Sequence, residues 1–152
     1  MIRISHIIAT GLVAGATAVL MAPSHAVAGR AELPGPVPAR VLRVIDGDTI
    51  VVRARVWIDQ QIEIQVRLGG IDTPELRGRC DFETTLARRA RALVAAKVGD
   101  RDIKLRRIRY GKFAGRVVAR VELASGEDLA AVLMAAGLGR PYNGAGRKPW
   151  CP

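Results

Sequence analysis

The chain has 152 residues, a one-domain length, and a formal charge of +10 from 24 lysines and arginines against 14 acids. Its histidines are His6 and His25 alone, both within the first 28 residues. If that segment is cleaved, imidazole catalysis and histidine-built zinc sites are excluded, leaving carboxylates, lysine and tyrosine as general bases.

Met1–His6 carries Arg3 and no acid, Ile7–Met21 is uncharged and apolar, and Ala26-Val27-Ala28 follows. A basic start, a short apolar run and an A-x-A site read as a secretory signal peptide over residues 1–28. The run falls short of the ~20 residues that a spanning helix needs, although an uncleaved anchor is the alternative. The expectation is a periplasmic or secreted monomer without stable membrane association. In an oxidising compartment, Cys80 and Cys151 form a disulfide; the alternative is two free thiols. Residues 29–39, rich in proline, read as a linker.

Strand patterns begin at Val41–Ile45. In Ile50–Ile58 the apolar residues Ile50, Val52, Ala54, Val56 and Ile58 alternate with Arg53, Arg55 and Trp57. Ile62–Leu68 alternates likewise, and period two marks half-buried strands. Asp59-Gln60-Gln61 joins them as a hairpin loop. Phe82, Leu86, Ala90 and Leu93 then recur at helical spacing, with Asp81 to cap the helix and Gly99 to end it. Asp102–Ile108 and Val117–Leu123 read as further strands, and Leu129–Ala136 as a short helix before Gly137. The order suggests an α+β, mostly β fold: a five-stranded antiparallel barrel of OB type with two helices, over residues 40–140. Residues 141–152 form an irregular tail that the disulfide would pin. Fold alone does not give function.

Two stretches carry chemistry. In VIDGDTI, Val44–Ile50, Asp46-Gly47 is a hairpin-turn signal that leaves Asp48 unexplained. In VRLGGIDTPE, Val66–Glu75, Asp72 and Glu75 follow a strand end. Carboxylates brought to one rim repel unless a cation offsets them. Calcium and magnesium take such oxygens and backbone carbonyls, and the Thr73 carbonyl is available. With Arg67 beside them this is equipment for phosphodiester hydrolysis: a cation to polarise the phosphoryl group, arginine to stabilise charge, a carboxylate for the water. The bland reading makes Asp72 and Glu75 turn residues and Arg67 a solvated strand face.

The ordered pair Val44-Ile45-Asp46-Gly47-Asp48-Thr49 and Arg67-Leu68…Ile71-Asp72-Thr73-Pro74-Glu75 resembles the staphylococcal-nuclease-like (thermonuclease) family. Lys112-Phe113-Ala114-Gly115-Arg116-Val117 is similar to its third element. The resemblance spans about Val41 to Leu138. It implies a calcium-dependent nuclease acting on DNA and RNA and leaving 3′-phosphate ends. It implies that Asp48, Asp72 and the Thr73 carbonyl hold Ca2+, that Arg67 and Arg116 clamp the scissile phosphate, and that Glu75 orients the water. Asp46 would be a neighbouring acid or a turn residue, and Lys112 and Tyr142 would contact substrate. The chain departs from the pattern at Gly111, where an acid is common, and at Phe113, where tyrosine is usual. Ala114 is an added residue, and a short tail ending near Cys151 replaces a longer helix. The rival functions are a non-catalytic nucleic-acid-binding module, for which stacking aromatics are few, and an envelope protein that holds anionic polymers by charge.

Overall fold

A computed structural model describes residues 31–152; the signal-peptide expectation lies outside these residues. The strands are β1 (Glu32–Leu33), β2 (Val37–Val44), β3 (Thr49–Trp57), β4 (Gln60–Leu68), β5 (Ile71–Asp72), β6 (Asp102–Tyr110), β7 (Arg116–Glu122) and β8 (Arg140–Pro141). The helices are α1 (Asp81–Val98) and α2 (Leu129–Ala135). The main sheet runs β1-β6-β2-β3-β4-β7, and pairing of β6 with β7 closes five of its strands into a barrel. The fold is the OB-type barrel with two helices that the sequence suggests. The barrel is mixed rather than antiparallel throughout, because β4 and β7 pair in parallel. The intervening chain crosses over through α1 and β6, which delivers β7 in the same direction as β4.

Alternation sets the interior. Ile50, Val52, Ala54, Val66, Leu68, Ile103, Leu105, Ala119 and Val121 point inward and are buried. Each large apolar side chain contributes about 1.5–3 kcal/mol by leaving water. The alternation outruns the core at the β3–β4 tip, where Val56, Ile58 and Ile62 are exposed. There the hairpin overhangs the barrel and its inner face has nothing to cover it. Its turn falls at Ile58–Asp59, with Asp59 at φ 56°.

Helix α1 is rotated from the face that the apolar spacing suggests. Phe82 is exposed, and the buried stripe is Glu83, Ala87, Ala90, Val94 and Val98. Alanines on this stripe let the helix lie close to the barrel, and Leu86 and Leu93 pack at its margin. Cys80, not Asp81, is the N-cap residue, and no side chain caps the helix. Gly99 ends it at φ 48°, a conformation that glycine takes without Cβ strain. Asp128 caps α2 by accepting from the Ala130 N–H.

The proline-rich segment is not a linker throughout. Glu32–Leu33 pairs with Ile108–Arg109, and β2 begins at Val37. The tail is irregular after its first residues: β8 pairs with β5, Asp72 opposite Arg140. The Cys80–Cys151 disulfide then ties the tail to the start of α1. Among the described residues no helix is long and apolar enough to cross a membrane.

Candidate active site at the barrel rim

The β2–β3 turn delivers the first acid. Ile45 and Asp46 N–H groups donate to the Thr49 carbonyl at 2.9 and 3.2 Å, and the Asp48 N–H donates to Asp46 Oδ1 at 3.1 Å. Gly47 is not in the left-handed region that an Asp-Gly hairpin turn implies. It is glycine because the turn is pressed against α1. A Cβ there would come within 2.8 Å of the Ala90 Cβ and 3.0 Å of Thr73 Oγ1. Packing therefore fixes the height of the turn, and with it Asp48, which is 3% exposed.

Arg67 enters from β4, opposite Thr49 in the register. Its Nη1 donates to Asp48 Oδ1 at 2.5 Å, and its Nη2 reaches the Ile71 carbonyl at 3.3 Å. Thr49 Oγ1 donates to the same carboxylate oxygen at 2.9 Å. One guanidinium thus spans the segments that carry the first and second acids. Asp72 and Thr73 follow Ile71 and are 5% and 2% exposed.

Glu75 lies on a loop organised by a residue that the sequence reading did not single out. Glu83, buried on α1, accepts from the backbone N–H groups of Glu75 at 3.3 Å and Arg79 at 2.9 Å. Gly78 makes room for it, since a Cβ there would stand 2.6 Å from Glu83 Cγ. A buried acid in an otherwise apolar helical stripe is the signal that was available.

The tail supplies the largest addition. Arg147 Nε is 2.9 Å from Asp72 Oδ1, and its Nη1 donates to Glu75 Oε1. Trp150 Nε1 donates to Asp72 Oδ2 at 3.2 Å. The Arg140 guanidinium lies over the Trp150 ring at 3.5 Å and donates to the Pro149 carbonyl at 3.0 Å. Asp72 Oδ1 is buried without a well-directed hydrogen bond, because Arg147 is near but poorly aimed.

Arg116 opens β7 opposite Gln65, so it shares a sheet face with Arg67. Among the described residues it makes no ion pair; its guanidinium sits over the exposed Phe113 ring at 4.8 Å, and its Nε is buried without a partner. Lys112 Nζ approaches the same ring at 5.9 Å. Gly111 donates to the Arg116 carbonyl at 2.9 Å, and a Cβ there would meet that oxygen at 2.7 Å. The loop thus closes where only glycine fits, which accounts for the departure at this position. Tyr142 donates its N–H to Gly70 and lines a cleft with Asp72 and Arg147.

Burial raises the Asp46 carboxyl to a pKa of about 6, helped by the charge of Asp48 and opposed by the Asp48 N–H. Burial works against the Arg147 charge, but Glu75, Asp72 and Asp48 outweigh it and hold its pKa above the ordinary value. Among the described residues no three acidic, histidine or cysteine side chains gather as a ready metal cluster. Asp48 and Asp72 are nevertheless buried carboxylates, the kind of oxygen ligand that suits a hard cation. Asp72 Oδ1, buried without a well-directed donor beside Arg147, has acceptor capacity that a cation could use. A groove lined by Arg40, Arg53, Arg55 and Asp102 lies apart from these residues, and its arginines are partly ion-paired to Asp102 and Glu63.

No family model matches the chain, and no curated protein matches it.

Proposed function

We propose that this chain is an exported, calcium-dependent nuclease that hydrolyses phosphodiester bonds in DNA, RNA or both and leaves 3′-phosphate ends. The observation that carries the reading is the shared rim: Arg67 binds Asp48 and the Ile71 carbonyl, and buried Asp72 follows directly. Buried acids are costly for a fold to keep, and clusters of them with arginines are commoner at functional sites than in structural cores.

Calcium on Asp48, Asp72 and the Thr73 carbonyl would polarise the phosphoryl oxygen. Arg67 and Arg116 donate to the oxygens on which charge grows in the transition state. Glu75 orients a water in line with the P–O5′ bond and takes its proton. The new P–O bond forms as P–O5′ breaks, the 5′ oxygen gains a proton, and the phosphate remains on the 3′ side. The exposed rings of Tyr110 and Phe113 flank the strand that carries Arg116 and offer stacking faces for unpaired bases. Lys112 and Tyr142 would contact neighbouring groups. The disulfide supports an oxidising compartment, periplasm or medium.

The test is hydrolysis of single-stranded DNA by the oxidised protein, first with calcium and then with a chelator. Calcium-dependent cleavage is expected. Binding of DNA without cleavage under both conditions would replace the nuclease reading with that of a binding module.

A further inference from the structure

One residue at the centre of this site has no part in the chemistry above. Arg147 rests on Asp72 and Glu75, the carboxylates assigned to the cation and the water. Its guanidinium supplies positive charge where the cation would supply it. The segment beyond it is fixed at several points: Trp150 on Asp72, Arg140 on Trp150 and Pro149, and Cys151 on Cys80. The anchors place Arg147 beside the acids without depending on its own side chain. The contact with Asp72 is poorly directed, and the Arg147 side chain is 42% exposed.

Two clefts meet at this side chain. One, of about 280 Å³, holds Glu75, Arg79 and Glu83; the other, of about 670 Å³, holds Gly70, Tyr142 and Asn143. Asp72, Arg147 and Lys148 line both. An arginine displaced from the carboxylates therefore has the larger cleft, with Lys148 and Tyr142, open beside it.

We propose that Arg147 is a substrate-binding arginine that rests on Asp72 and Glu75 until a divalent cation takes Asp72 and the water takes Glu75, and then holds a nucleic-acid phosphate adjoining the scissile one. This rests on the calcium and nucleic-acid reading above. A guanidinium and a divalent cation compete for the same oxygens and repel one another. A phosphate offers the displaced fork a matching partner. The disulfide keeps the arginine within reach in both states.

The test measures two affinities on the oxidised protein, the Arg147→Ala variant and the Arg147→Lys variant. Calorimetry gives calcium binding without nucleic acid; anisotropy gives binding of a nuclease-resistant phosphorothioate oligodeoxynucleotide at saturating calcium. For Arg147→Ala, calcium should bind about tenfold tighter, the scale of a partly exposed two-carboxylate contact. The oligonucleotide should bind about tenfold weaker, and Arg147→Lys should recover only part of that loss, because its ammonium keeps the charge and lacks the fork. Equal calcium affinity in wild type and Arg147→Ala overturns the competition. Tighter calcium with unchanged oligonucleotide affinity overturns the phosphate role. Calcium binding by the wild type without these changes defeats this proposal and spares the calcium reading; no calcium binding by the wild type defeats both. Arg147→Gln, which keeps chain length, repeats the measurements if the alanine variant melts early.

Discussion

The Arg67–Asp48 pair gives the sharpest prediction, because Asp48 is buried and Arg67 is largely shielded from water. Their side chains are 12% and 4% exposed, and the contact is 2.5 Å. Arg67→Met removes the guanidinium and leaves an aliphatic stem of similar reach. Asp48 is then a buried carboxylate whose remaining side-chain donor is the Thr49 hydroxyl. Breaking one side of such a pair costs about 3 kcal/mol, since the stranded charge loses its compensation. For a domain of this size that is a fall in Tm of roughly 10 °C. Asp48→Asn in the Arg67→Met background removes the stranded charge, so the double variant should recover most of the loss. Urea unfolding of all four proteins in chelator, at neutral pH, gives the cycle. A single-variant cost below about 1 kcal/mol, with no coupling, would place the pair in the solvated class and refute the geometry on which the site is built.

Glu75→Gln should keep calcium and oligonucleotide binding and lose most of the turnover, read from single-turnover cleavage; unchanged turnover would remove Glu75 from the reaction. Arg116→Ala should cost about 3 kcal/mol in the transition state, or about a hundredfold in rate; intact activity would mean that the third motif is misplaced. The folded Asp46 carboxyl titrates near 6 rather than 3.8, so folding binds a proton and stability falls as pH rises through that interval. Asp46→Asn should therefore match wild type below this window and exceed it above, in chelator melts from pH 3.5 to 8. A constant difference across that range would contradict the raised value. Reduction opens a bridge between residues 71 apart, worth about 4 kcal/mol by loop entropy; reductant should lower the Tm of wild type and leave a Cys80→Ser/Cys151→Ser variant unmoved.

Much of the barrel was legible because period-two alternation is a direct imprint of a closed sheet's two faces. It misled where the β3–β4 hairpin runs past the core, since alternation does not say where the core stops. The face of α1 was misread because the stripe is alanine-rich and led by Glu83. A helix pressed on a barrel needs small residues, whereas apolar spacing favours large ones such as Phe82. Asp48, Arg67, Asp72 and Glu75 were legible because their segments are neighbours in the β3–β4 register or follow it at once. Arg147 was not. It reaches Glu75 across 72 positions of sequence, through a tail whose course depends on one disulfide and one short strand pairing. No local pattern records that. The even cysteine count was the available clue, and it located the tail without identifying the side chain that enters the site.

The charges explain why such a tail is tolerable beside the proposed cation site. Asp48, Asp72 and Glu75 face Arg67 and Arg147 in the structure. Under the proposed exchange, one guanidinium leaves the acids as one divalent cation and one singly charged phosphodiester arrive. The net charge at the carboxylates is unchanged. Neither state strands buried acids, which is the condition that the Arg67→Met experiment violates on purpose. Asp46 bears on the same balance from the other side. Its neutral form below pH 6 removes a negative charge next to Asp48, so cation binding should weaken as pH falls through that value. Calcium affinity that stays flat between pH 5 and 7.5 in wild type would detach Asp46 from the site and leave it as a turn residue.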